Sequence, residues 1–342
     1  MADFVLQITE WYRLNARTLP WRETKNAYFI WLSEVILQQT RVDQGMNYYL
    51  SFVSNFPTVE ELANANEEQV LKLWQGLGYY SRARNLHKTA KQVSEEFGGQ
   101  FPASFEALLS LKGVGPYTAA AIASFAFDLP HAVVDGNVYR ILSRYFGIDL
   151  PIDSTEGKKA FQRLASDLIP AGDPALFNQA VMEFGAMQCT PANPECETCV
   201  LLETCASGKS GLWKERPVKS KKTAVRDRFF HYFHIEHEGK IAVKKRVDKD
   251  VWQHLYEFPM IETLSAELTE SDLEQLPLQN RNFATVSSSK HVLSHQRIYA
   301  TFHRLTVTNP GDLAHFEVND LDSFHRLPIH RLMHRYVEKY MD

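Results

Sequence analysis

Cysteine is scarce in this chain. Only 4 occur among 342 residues, and all of them lie between Cys189 and Cys205. That distribution excludes a disulfide framework, which needs bridges spread across the fold. Long apolar runs are missing too: none reaches about 18 residues, so no membrane-spanning helix is expected. Excess positive charge is also absent. Lys and Arg number 37 against 41 Asp and Glu, giving a formal net charge of -4. The molecule is no polycation, so any nucleic-acid surface must be local. The opening residues, MADFVLQITEWYRLNAR, place an acid at Asp3 and no basic segment before an apolar one. They read neither as a secretory leader nor as an Arg-rich, acid-poor transit segment. The expected location is the cytoplasm, with thiols reduced.

What is present points to two domains, the usual partition for this length. Apolar residues make up 44% and charged residues 23%, as in ordinary globular proteins. Apolar positions recur at helical spacing in DFVLQITEWY, EEQVLKLWQG, SRARNLHKTAKQV and KKAFQRLASDLI. Breakers such as Pro57, Gly98, Gly99, Pro102, Gly147, Pro151, Pro170 and Gly172 punctuate them. No solenoid-type repeat is evident. Residues 1–208 therefore read as helical. Residues 209–224 are rich in Lys, Ser, Gly and Pro and read as an exposed basic linker. From 225 to 342 the pattern changes. RFFHYFHIEHEGKIAVKKRV places β-favouring runs around a Glu238–Gly239 turn, RIYATFHRLTV alternates, and HRLPIHRLMHRYVEKYM closes as an amphipathic helix. That half is expected to be α+β. His325, His330 and His334 are regularly placed but read as solvated side chains, not as a metal site.

The four cysteines follow the spacing Cys-x6-Cys-x2-Cys-x5-Cys: Cys189, Cys196, Cys199 and Cys205. Clustered thiolates in a reducing compartment indicate a metal, zinc or an iron–sulfur cluster. A zinc ribbon shows two Cys-x2-Cys knuckles and this chain has one, which favours the cluster. Its expected role is architectural, fixing a loop whose Lys209 and Lys214 meet phosphates.

LLSLKGVGPYTAAAIASFAF reads as helix, tight turn, helix. Gly113 and Gly115 suit positive φ or close approach, and Pro116 suits the first turn of the second helix. The exposed N–H groups of that helix start form an anion site for a DNA phosphate, although an ordinary glycine-capped hairpin has the same sequence. Two carboxylates stand in contrasting settings. Glu34, in FIWLSEVILQQT, is surrounded by apolar residues on every side of its helix, so burial should raise its pKa and suit it to general acid work. Asp135, in HAVVDGNVYRIL, precedes a helix whose N-terminus should keep it ionised. One protonated and one ionised carboxyl suit the cleavage of a glycosidic bond through a cationic sugar.

Taken together, LPWR (Leu19–Arg22), SEVILQQTRV (Ser33–Val42), GLGYYSRARNLH (Gly76–His87), LKGVGPYTAAAI (Leu111–Ile122), VVDGNVYRIL (Val133–Leu142), FNQAVMEFGAMQCT and the four-cysteine spacing resemble adenine DNA glycosylases. These belong to the helix–hairpin–helix superfamily with a 4Fe–4S cluster. The resemblance covers essentially the whole chain. It implies a mostly α N-terminal helix–hairpin–helix glycosylase fold with an iron–sulfur cluster and an α+β Nudix-like C-terminal domain. It implies a monomeric base excision repair enzyme, bacterial and nucleoid-associated, whose partner is double-stranded DNA containing A:8-oxoguanine or A:G mispairs. By motif match, Glu34 would protonate the extruded adenine and Asp135 would stabilise the oxocarbenium, with Tyr117 and Asn137 assisting. Arg17, Trp21 and Arg22 would line the adenine pocket, Gln39 would wedge into the vacated stack, and Tyr79 would probe beside 8-oxoguanine. Leu77, Val114 and the two hairpin glycines would lie on the DNA side.

One position separates subclasses. Related glycosylases that also cut the strand carry a Schiff-base lysine two residues after the second hairpin glycine; here Tyr117 stands there, and a phenol forms no imine. In the C-terminal half, Nudix hydrolases need a Glu-rich REXXEE helix to hold magnesium, and none follows LYEFP. The half is expected to bind rather than hydrolyse. HVLSHQ matches the family's 8-oxoguanine-reading loop, with Ser294 and His295 as its polar pair and Leu293 where the family usually has Phe. The alternatives are an oxidised-pyrimidine glycosylase–lyase and a non-catalytic iron–sulfur DNA-binding protein.

Overall fold

The structure is a computed structural model that describes residues 2–170, 172–220, 224–278 and 282–341. The chain divides into two compact units, Met1–Asn64 with Asn85–Lys221, and Ala65–Arg84 with Lys222–Asp342. Up to residue 210 it is helical: α1 (Ala2–Asn15), α2 (Ala27–Ile36), α3 (Val42–Asn55), α4 (Val59–Asn64), α5 (Glu67–Leu73), α6 (Ser81–Phe97), α7 (Phe105–Ser110), α8 (Pro116–Phe127), α9 (Gly136–Phe146), α10 (Thr155–Leu168), α11 (Pro174–Met187) and α12 (Ala206–Ser210).

The first unit is built on two apolar cores. Phe4, Ile8 and Trp11 of α1 pack with Ile141 of α9, Phe161 of α10 and Phe184 of α11. Burial of each such side chain contributes about 1.5–3 kcal/mol. In the second core, Ala120 and Ala121 of α8 lie against Ile30 of α2. The small side chains of α8 allow that close approach, and α2 is buried on nearly every face, as its sequence demands.

The glycine motif forms the expected hairpin of α7 and α8. Its two glycines differ, however. Gly113 has φ 79, and a Cβ there would lie 2.6 Å from the Asn85 Cβ. Gly115 caps α8 with φ -90, an ordinary extended value, and its missing Cβ faces open space. Only Gly113 is needed for its backbone conformation; Gly115 leaves room for something to approach. Val114 is buried and its N–H is spent on Leu111 O, so its side chain serves the core.

Two features of the organisation go beyond what the sequence reading described. The stretch read as an exposed basic linker is largely exposed, and it is also tied to the first unit. Arg216 bridges Asp149 at 2.8 Å, Ile152 N–H donates to Val218 O at 3.0 Å, and Ser220 bonds Asp153. Its last members, residues 221–223, lie outside the described residues. Residues 65–84, read as part of the helical domain, belong to the second unit. There Glu68 pairs with Lys245 at 2.6 Å, His254 bonds Glu67 at 2.6 Å, and Lys72 donates to His325 O and Leu327 O. Nothing in the local helical pattern distinguishes this segment; its partners come from more than 170 residues away.

The second unit adds β1 (Arg226–His237), β2 (Lys240–Lys245), β3 (Tyr256–Glu257), β4 (Met260–Thr263), β5 (Ala284–Val292), β6 (Gln296–Thr306) and β7 (Glu317–Asp320). Their order is β3-β2-β1-β6-β5, with β4 on β1 and β7 on β2. β1 and β6 run parallel at the centre, and the other pairings are antiparallel. The β1–β2 turn is the expected one: Glu238 and Gly239 both take positive φ, 47 and 74. α13 (Glu270–Leu273), α14 (Leu321–Arg326) and α15 (Arg331–Tyr340) complete the unit. Among the described residues α13 is the only helix between β4 and β5, so no long acidic helix stands there. His330 corrects the view of solvated histidines. It is fully buried, caps α15 and faces Glu257 at 3.3 Å.

Gly113→Ala is expected to cost about 1–3 kcal/mol, because it meets both positive φ and Asn85. Thermal unfolding checks this; an unchanged midpoint would contradict the assignment.

Candidate active site

Glu34 sits in the last turn of α2 and is only 7% exposed. Tyr117, in the first turn of α8, donates its hydroxyl to Glu34 Oε2 at 2.6 Å. Burial pushes the Glu34 carboxyl up to about 7; the charge of Asp135 adds to this, while the Tyr117 bond and Arg22 oppose it. Asp135 caps α9, accepting from Val138 N–H at 2.8 Å and Asn137 Nδ2 at 2.7 Å. Contrary to expectation, its pKa is raised as well. Burial outweighs the helix-start hydrogen bonds and Arg140, which pull the other way.

Both carboxylates open onto one cavity of about 840 Å³. Tyr117, Asn137, Arg17, Trp21, Arg22, Gln39, Gly113 and Gly115 line it too, so the structure brings most of the sequence candidates together. Gln39 has φ 56, a conformation rare for a residue with a side chain. Arg17 and Arg22 are not free cations. Arg17 grips Glu183 through Nε and Nη2, both at 2.7 Å, and Arg22 Nη2 adds a third contact at 2.7 Å. These bonds hold the buried Glu183 carboxyl down at about 2.

Leu77, Tyr79, Ser294 and His295 are not among the residues that line this cavity and belong to the second unit. Leu77 is buried. Tyr79 is half-exposed with φ 48, and its hydroxyl meets Ser294 Oγ at 2.7 Å. Leu293, Ser294 and His295 connect β5 to β6, with Ser294 and His295 exposed.

Sequence reasoning missed three residues. Glu183 ties down the Arg17–Arg22 wall. Arg140 donates to Asn137 Oδ1 at 2.9 Å, Gly185 O at 2.5 Å and Cys189 O at 2.7 Å, which links the cysteine loop to Asn137 and so to Asp135. Gly185 allows α11 to reach α9, since a Cβ there would lie 2.7 Å from the Asn137 Cβ. Glu183 and Gly185 fall within FNQAVMEFGAMQCT and Arg140 within VVDGNVYRIL, but helical spacing alone does not reveal their partners.

All four cysteines line one second cavity, which shares no lining residue with the first. Gly208 N–H donates to Cys205 Sγ and Arg144 Nη1 to Cys189 Sγ, each at 3.3 Å. Among the described residues no three His, Cys, Asp or Glu converge on a single ion. All four thiols line that one cavity, a donor set of the kind that zinc or an iron–sulfur cluster takes. The residues therefore fit an iron–sulfur cluster.

Comparison with known proteins agrees with this geometry. The HhH-GPD superfamily of base excision DNA repair proteins matches residues 32–170, and a NUDIX domain matches residues 231–339. The adenine DNA glycosylase of Buchnera aphidicola subsp. Schizaphis graminum is 37% identical over 257 residues, 75% of this chain and 74% of that protein. The chain belongs to the adenine DNA glycosylase family. It is thus a hydrolase, a DNA glycosylase of base excision repair. The human adenine DNA glycosylase is 44% identical over 207 residues, 58% of this chain and 38% of its own length. The solved structure of a thermostable thymine-DNA glycosylase superposes with a TM-score of 0.57 at 32% identity, covering 60% of this chain and 95% of that one. Among the described residues no helix is long and apolar enough to cross a membrane.

Glu183→Gln should destabilise the protein by about 3–5 kcal/mol, because it leaves two cations without their carboxylate. The folded pKa is depressed, so this contribution is present above the ordinary value of 4.5 and fades as pH falls toward 2. Melting curves should show the gap between wild type and variant closing over that window; a gap independent of pH would refute the pairing.

Proposed function

We propose that the enzyme excises adenine mispaired with 8-oxoguanine, or with G, from duplex DNA without cutting the strand. The observation that carries this is the buried Glu34–Tyr117 pair facing Asp135 across one cavity. The target nucleotide must leave the stack to reach that cavity. Glu34, with a pKa near 7, is partly protonated at neutral pH and donates to an adenine ring nitrogen, converting a poor leaving group into a neutral one. The Asp135 carboxylate, oriented by Val138 N–H and Asn137, stabilises the positive sugar left behind. Tyr117 holds Glu34 through its hydroxyl, and Trp21 with the Arg17–Arg22–Glu183 wall bounds the base.

Gln39, its backbone already in the left-handed region, fills the vacated stack. Tyr79, Ser294 and His295 read the opposite base from the second unit, and Ser294 with Tyr79 already forms a hydrogen-bonded pair there. Cys189, Cys196, Cys199 and Cys205 hold a 4Fe–4S cluster, which when bound supplies rigidity to the loop carrying Cys189 and, through Arg140, to Asn137.

The test is single-turnover incubation with duplexes carrying A opposite 8-oxoguanine, A opposite G, or an oxidised pyrimidine. Free adenine is expected from the first two and no base from the third, with Glu34→Gln losing at least about 100-fold in rate, the scale of general acid catalysis. Borohydride should trap no covalent adduct. Release of the pyrimidine with trapping would instead support a glycosylase–lyase.

A further inference from the structure

Beside the reaction cavity lies a second groove, of about 470 Å³. Pro116, Tyr117 and Tyr139 form one wall and are shared with the reaction cavity. The exposed face of α10 forms the other, with Lys158, Lys159 and Arg163. α10 sorts its charges. Its buried positions, Gly157, Phe161, Ala165 and Leu168, face the core, and the three cations line this groove. Asp167 instead lines a different hollow, beside Ala2, Val5 and Asp173, and reaches Arg163 only at 4.0 Å with both side chains largely exposed. Among the described residues no acidic side chain lines the groove. Gln162 Nε2 donates to Ala132 O at 3.1 Å and fixes the helix beside the strand of chain that leads to Asp135.

We propose that this groove is a phosphate track for the strand bearing the target adenine, with Lys158, Lys159 and Arg163 neutralising the backbone next to the extruded nucleotide. The proposal rests on the reading of the reaction cavity as the base pocket. A protein of net charge -4 needs local cations to hold a polyanion. These three share the groove with Tyr117, whose hydroxyl bonds the buried acid, and the start of α8, without a side-chain cap, adds N–H donors at the same wall. From Lys158 to Arg163 the helix rises about 7.5 Å. A strand carries a phosphate about every 3.4 Å along the duplex axis, so the cations span about two phosphate intervals. A solvated cationic face would need no such continuity with the cavity, and neither acid of α10, Glu156 or Asp167, lines the groove.

The experiment measures affinity for a duplex with a tetrahydrofuran abasic analogue opposite 8-oxoguanine, between about 50 and 200 mM salt. Wild type is compared with Lys158→Ala/Lys159→Ala and with Lys159→Glu. Both positions are exposed, and circular dichroism verifies the fold. The double variant is expected to reduce the magnitude of the log K against log salt slope by about 1.4–1.8, at about 0.7–0.9 for each phosphate no longer neutralised. The weakening should be equal whether 8-oxoguanine or G stands opposite, because phosphate contacts carry no sequence information. An unchanged slope in a variant that still binds overturns the phosphate track alone. So does weakening confined to one opposite base. A wild-type protein that binds neither duplex overturns the proposed function as well.

Discussion

The site depends on keeping one carboxyl group dry. Glu34 is placed on a helix whose other side chains are apolar nearly all round, so its carboxyl emerges from apolar surroundings only at the reaction cavity. Its strong partner is the Tyr117 hydroxyl. Burial therefore sets its proton affinity, and the neighbouring Asp135 reinforces the shift. The arrangement costs stability: a carboxyl held above its ordinary pKa loses folding free energy as pH rises from about 4.5 to about 7. Such strain is expected at a catalytic position, and the alanine-rich packing of α8 against α2 helps offset it.

α11 organises what surrounds that acid. Successive residues on it serve different ends: Glu183 faces the reaction cavity and holds Arg17 and Arg22, Phe184 enters the core, and Gly185 lets Asn137 approach. Arg140 then joins the loop of Cys189 to Asn137 by hydrogen bonds at both ends. The cysteine-bearing loop thereby has a physical route to the orientation of Asp135, through three short polar contacts.

Much of this was legible in the residues. The apolar surroundings of Glu34 announced a buried carboxyl, the Asp-Gly-Asn sequence announced a helix cap at Asp135, and Glu238–Gly239 announced its hairpin. These are local signals, set by periodicity, caps and turns. What stayed hidden is carried by long-range pairing. Glu183 with Arg17 and Arg22, the attachment of residues 65–84 to the C-terminal unit, and the burial of His330 all join segments far apart in the chain. The stretch after Lys209 is exposed, as its composition signals; what composition does not reveal is that Arg216 and Ser220 bond Asp149 and Asp153. The raised pKa of Asp135 was hidden because a cap motif reveals hydrogen bonds but not depth.

The central claim is that a protonated Glu34 drives base excision. The most direct test is the single-turnover excision rate on A:8-oxoguanine duplex at saturating enzyme, followed from about pH 5 to 9. The account predicts a rate that falls as pH rises through about 7, approaching tenfold per unit above it as the acid loses its proton. A rate that stays flat or climbs through that range would contradict it.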